Sequence, residues 1–294
     1  MKFICSFVIL SVIGPCAMAQ SLNLGGTPGS SPLPIQITAS KGIEWSQTAH
    51  TVTAIGNAKA VRGDVTVTAD QLIAHYAPSK STPAATASGG DSPLDQGNAQ
   101  LTELDAVGHV HIYTATDNAW SDRAVYMANQ QVLVLTGKNL KLTTPQDVLT
   151  ALDSIEYYSG AHKAIARGNA RIVASDGRTI TADVITGYFS AQPAQPSQGS
   201  AAASNNPAGS LEKVDALGHV VITTKADQAT GDSGVYIPHT GEARLGGNVH
   251  ITHGGNQMSG SDALVNMNAG TATLLSAPGQ RVSGVILPGS GKTQ

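Results

Sequence analysis

Apolar and polar residues alternate with a period of two along most of the chain. Ala58 and Ala60 flank Lys59, Val110 and Ile112 flank His111, and Leu140 and Leu142 flank Lys141. Ala170 and Ile172 flank Arg171, Val220 and Ile222 flank Val221, and Val249 and Ile251 flank His250. Val65, Val67 and Ala69 carry the same phase onward, and Leu72 and Ile180 sit in strands of the same kind. Successive side chains of a strand point to opposite faces, so this alternation predicts strands with one face on a core and the other toward water. The period is that of strands, not of helices.

The alternating stretches form a repeat. Each unit opens on a glycine: Gly56, Gly108, Gly137, Gly168, Gly218 and Gly247. Fourteen to sixteen residues later comes an aspartate, at Asp70, Asp122, Asp153, Asp183, Asp232 and Asp262, and then a second strand. A strand that turns a corner at the same point in every unit needs a residue tolerant of positive φ. An aspartate suits the same corner because its carboxylate accepts neighbouring N–H groups. The glycine spacings are 52, 29, 31, 50 and 29, so the pattern also recurs at half the chain. Such units predict an all-β fold, an antiparallel repeat whose two facing sheets share an apolar lumen.

The two long spacings contain residues 77–100 and 191–210, rich in Pro, Ala, Ser, Gln and Gly. Such segments bury too little to offset their ordering entropy and read as mobile loops. Residues 20–34 read as a flexible leader. The organisation expected is a signal peptide at 1–19, one half at 35–160, a second at 161–278, and a tail at 279–294. The signal reading rests on Lys2, an apolar run from Phe3 to Ile13, and Ala17-Met18-Ala19 before cleavage after Ala19. The run is too short to anchor stably in a bilayer. Cys16 follows Ile13-Gly14-Pro15, a poor lipobox. The only cysteines, Cys5 and Cys16, fall inside this segment, so the exported chain holds no disulfide. Net charge is −3 and charged residues make up 13%, with no basic stripe, so no nucleic-acid partner is expected.

Candidate chemistry reduces to structure. Gly231-Asp232-Ser233-Gly234 resembles a serine-protease nucleophile segment, and Thr48-Ala49-His50 its histidine segment. Asp232, however, occupies the repeat register of five other aspartates, and the rest of that pattern is missing. His109 and His219 take the slot after the glycine where Asn57, Asn169 and Asn248 stand elsewhere. His111 and His250 take the outward slot. Nothing in these spacings supports a zinc site, and one aspartate per unit is too sparse for calcium. There is no phosphate loop and no dinucleotide fingerprint, so no cofactor and no catalytic residue are expected. Trp45 and Trp120 read as packing residues.

The stretch from Gly56-Asn-Ala-Lys-Ala through Val65-Thr-Val-Thr-Ala-Asp70 to His75-Tyr76 resembles the opening motif of the OstA/LptA family of periplasmic lipopolysaccharide-transport proteins. The segment from Ile43-Glu-Trp to Thr53-Ala resembles that domain's first strand, and Arg167-Gly-Asn-Ala to Asp183 restates the motif. The resemblance spans residues 35–275. It implies an open, twisted β-jelly roll that carries lipopolysaccharide across the periplasm, from an inner-membrane extraction complex to an outer-membrane translocon. The inward apolar stripe (Ala58, Ala60, Val65, Val67, Leu72, Val110, Ile112, Leu140, Leu142, Ile172, Ile180, Val220, Ile222, Val249 and Ile251) is then the expected lipid-binding surface. Lys59, Arg62 or Arg171 would serve the headgroup. Edge strands near Trp45–Thr53 and Thr271–Ser276 would pair with those partners or head to tail with a second copy. The second half either lengthens the groove or caps it. A surface β-solenoid without cargo and a polysaccharide-active β-helix enzyme are the competing readings.

Overall fold

The computed structural model describes residues 35–77, 100–190, 211–225, 227–253, 255–266, 269, 271–277 and 281–285. The expected signal peptide and leader, and almost all of the two expected loops, lie outside the described residues. The described chain is antiparallel β, with one three-residue 3-10 turn, Ser159–Ala161. In order the strands are β1 Gln36–Thr38, β2 Gly42–Ser46, β3 Thr51–Arg62, β4 Val65–Ala77, β5 Gln100–Tyr113, β6 Asn118–Met127, β7 Val132–Thr136, β8 Leu140–Thr143 and β9 Asp147–Ala151. They continue as β10 Ser154–Tyr158, β11 Lys163–Ala174, β12 Thr179–Phe189, β13 Leu211–Thr223, β14 Asp227–Ile237, β15 Glu242–His253, β16 Asn256–Asn266, β17 Thr271–Leu275 and β18 Ser283–Val285.

The long strands bend midway, and the bend divides one ladder into two facing sheets. Pairing of β3 with β4 skips between Ile55 and Ala58, and pairing of β13 with β14 skips between Leu217 and Val220. The skipped residues are the repeated Gly and the Asn or His after it. Before the bend, β3, β5, β11, β13 and β15 pair with the far ends of β4, β6, β12, β14 and β16, forming sheet 1. After it they pair with the near ends of the same partners, forming sheet 2. The Gly137 unit differs: its strands break at the corner into β7 and β8, then β9 and β10. These short strands still bridge β6 to β11, through β7 and β10 in sheet 1 and through β8 and β9 in sheet 2. Strand pairing therefore runs unbroken through the midpoint, and the second half lengthens the sheets and does not fold over them as a cap.

Alternation sets the faces as the sequence predicts. Ala54, Ala58, Val67, Val110, Ile112, Ala170, Val220, Leu245 and Val249 form one buried cluster between the sheets. Lys59, Lys141, Arg171 and His250 are exposed on the outer faces. Two details differ from expectation. The stretch expected as a first strand near Trp45–Thr53 is a hairpin: β2 stops at Ser46, and the chain turns through His50 at φ +53 into β3. The expected tail contributes a strand, β18, which pairs with Gln257–Ser259 of β16.

Candidate functional site

Each corner is built from two consecutive units. Gly108 and His109 lie at φ +79 and +47, and Gly218 and His219 at +76 and +46. Glycine takes this left-handed region freely, and Asn and His are among the few other residues found there with some frequency. That explains why only Asn or His follows the glycine in the five units that bend. The aspartate of the preceding unit packs on this glycine. A Cβ at Gly108 would lie 2.2 Å from Asp70 Oδ2, and one at Gly218 would lie 2.1 Å from Asp183 Oδ2. Asp122, Asp153 and Asp232 crowd Gly137, Gly168 and Gly247 in the same way. The expected acceptance of backbone N–H groups occurs at Asp122, which takes the N–H of Lys138 at 2.8 Å. At three other corners the partner is a side chain: Asp70 with His109 Nδ1 at 2.8 Å, Asp183 with His219 Nδ1 at 2.9 Å, and Asp232 with Asn248 Nδ2 at 2.9 Å.

The remaining candidates for chemistry also have structural partners. Ser233 donates its hydroxyl to the Gly246 carbonyl, and Asp232 serves the corner. His111 stacks between Tyr113 and Trp120 on the outer face of sheet 2, with Lys141 5.4 Å over the indole. Trp120 thus packs as expected, though outside and not in the core. Hydrogen bonding and charge from the paired carboxylate push the pKa of His109 and His219 above the ordinary 6.5. A raised pKa in the folded state means that these pairs stabilise fully below about pH 6.5, and that the contribution fades as pH rises through the folded value. Titration by NMR should place both imidazoles above the usual histidine range. Asp70→Asn and Asp183→Asn should each return only their own partner to it.

The inward stripe is one continuous lining. Ala58, Ala60, Val65, Val67, Leu72, Val110, Ile112, Leu140, Val220, Ile222, Val249 and Ile251 are buried, and Leu142, Ile172 and Ile180 are partly buried against them. Near the β1 end the lining leaves only a shallow, water-sized recess, walled by Ile35, Ile37, Val52, Ala60, Leu72 and Tyr76 among others. Ile43 and Trp45 of β2 face inward, opposite Ala54 and Val52, yet are 51% and 39% exposed. The apolar channel therefore continues uncovered past its first strand. The expected headgroup cations divide: Lys59 and Arg171 stand outside, whereas Arg62 is in step with Ala58 and Ala60 and faces the interior at the rim of sheet 2.

Polar residues at the rims are the part that pattern reading missed. Sheets 1 and 2 meet at the corners, and among the described residues their opposite rims, which frame a mouth, carry the hairpin turns. On the rim of sheet 1, Tyr126, Tyr157 and Tyr236 lie in one inward cross-strand row with Leu104, Leu133, Ala164, Val214 and Ala243. The signal was available in the repeat, since Tyr126 and Tyr236 each stand eighteen residues after their unit's glycine.

A family model described as LptA/(LptD N-terminal domain) LPS transport protein matches residues 36–159 and again 153–271. The chain belongs to this family. It is thus a member of a family of lipopolysaccharide-transport proteins, and its architecture is the antiparallel β-jelly roll that the resemblance implies. No curated protein sequence matches it. Among solved structures, it is similar to LptH, described as the LptA-homologous periplasmic component of the lipopolysaccharide transport device of Pseudomonas aeruginosa. The identity is 17%, over 48% of this chain and 95% of that one, with a TM-score of 0.38.

Proposed function

We propose that the chain is a periplasmic carrier that holds the acyl chains of lipopolysaccharide between its two sheets and passes them along the inward stripe. The observation that carries this reading is the unbroken apolar lining, which runs from the uncovered Ile43 and Trp45 through both halves to Ile251. Burying a methylene is worth about 0.8 kcal/mol. A uniform lining of small and β-branched side chains supplies that along its length without a deep trap, which suits a cargo that slides. The phosphorylated headgroup stays at the mouth. The signal-peptide pattern and the family support a periplasmic location, with residues 1–19 removed, two halves at 35–160 and 161–278, and energy supplied by a partner.

Handover uses the ends. Among the described residues, β2 and β17 bond to a neighbour on one side only, β3 and β16 respectively, and each offers an edge for strand addition. Through these edges the chain joins the inner-membrane export complex, the outer-membrane translocon, or a second copy head to tail. A photocrosslinking residue at Val67, Ile112 or the half-buried Ile180 should capture lipopolysaccharide in cells, and one at Thr66 or His111 should not. Equal capture on both faces would remove the groove assignment.

A further inference from the structure

The outer face of sheet 1 is not the polar surface that simple alternation would give. Leu217, Val235, Ile237, Leu264 and Leu275 all project from its last five strands, and Leu217 and Leu264 are 56% and 47% exposed. Register makes them one patch. Val235 and Leu264 both pair with Arg244 of the strand between them. Leu217 pairs with Ser233 and Leu275 with Asp262, next to Val235 and Leu264 on the same face, and Ile237 follows Val235. On the other sheet the same strands carry a solvated outer row: Val221, Thr230, His250 and Ser259. A contiguous apolar patch left open on one face marks an interaction surface.

The charges on this face point to the partner. Lys213 Nζ lies 2.9 Å from Asp215 Oδ2, and Arg244 Nη2 lies 3.4 Å from Asp262 Oδ1. Farther along, Arg167 pairs with Glu156 at 3.0 Å. These cations are neutralised in place by carboxylates of the same face, so they do not draw in an anionic lipid surface or a polyanion. A face so neutralised does not repel a copy of itself.

We propose that two copies of the chain pack back to back through the outer faces of sheet 1, about a two-fold axis. Twisted sheets stack face to face at about 10 Å with their strands roughly aligned. From β11 to β17 the face measures about 34 Å across the strands by about 20 Å along them, or roughly 700 Å2, close to the ~800 Å2 per partner of a stable interface. The stem of Arg244, between Val235 and Leu264, extends the apolar contact. A two-fold lays the patch on its own counterpart, so the contact closes at two. The mouth and the edges of β2 and β17 stay outside it, and the pair holds two grooves side by side. Back-to-back packing depends neither on the cargo nor on strand addition at the ends.

Sedimentation velocity of the full mature chain, over about 1–100 µM, reads the association directly. The wild type should pass from monomer to dimer. Val235→Lys and Leu264→Glu, each at an exposed site, should weaken that step about tenfold or more. Val221→Lys, on the outer face of sheet 2, should leave it unchanged. Circular dichroism checks that each variant folds, and either patch variant decides the question if the other does not fold. A monomeric wild type overturns the packing. Association that both patch variants leave intact overturns it as well and assigns the contact to the strand edges. Flotation of the wild type with phosphatidylcholine vesicles, lost in Val235→Lys, would assign the patch to a lipid surface and overturn the second copy.

Discussion

Gly108→Ala is expected to lower unfolding free energy by about 2–4 kcal/mol, among the largest effects of any single methyl in the protein. Two costs combine. A side chain at φ +79 is strained, and the new Cβ falls 2.2 Å from Asp70 Oδ2, displacing the carboxylate from His109. Gly177 separates these costs, because it has φ +87 but a methyl added there would meet nothing within 4 Å. Gly177→Ala should therefore show the backbone cost alone, about 1–2 kcal/mol. Combining Gly108→Ala with Asp70→Ala should recover part of the loss. Denaturant unfolding followed by circular dichroism reads these three variants against the wild type, and equal losses at Gly108 and Gly177 would contradict the packed corner.

Ile112→Ala should cost about 2–5 kcal/mol, because Ile112 is fully buried between the sheets. Lys59→Ala, on the exposed outer face, should stay within about 0.5 kcal/mol. The contrast is a direct measure of which face of the alternation carries the core. Similar losses at both positions would mean that the second face is buried in solution.

Much of the fold is legible in the sequence because a period of two fixes sidedness without knowledge of strand order. All fifteen stripe residues lie on the inner side for that reason. What the pattern lacks is the identity of neighbours. Thr66 is outward in phase yet buried, because its cross-strand partner is Tyr113, whose ring joins the His111 and Trp120 stack. The charge of Lys59 and Arg171 suggests the mouth, but their parity puts them outside. Asp70 and His109 come from different units, and only the stacking of one unit on the next brings them together. Ser283–Val285 reads as tail because a three-residue strand is too short to show a period.

The contact between each corner aspartate and the glycine of the following unit has one further consequence. It sets the angle between the sheets locally, from one unit to the next, and the same contact recurs from Asp70–Gly108 to Asp232–Gly247. The bore of the molecule is therefore fixed by neighbours, while its reach is set by how many units are strung together. Each unit adds two strand spacings, about 10 Å. Span is counted in whole steps of that size, and a chain that doubles a block of units stretches farther with its cross-section unchanged.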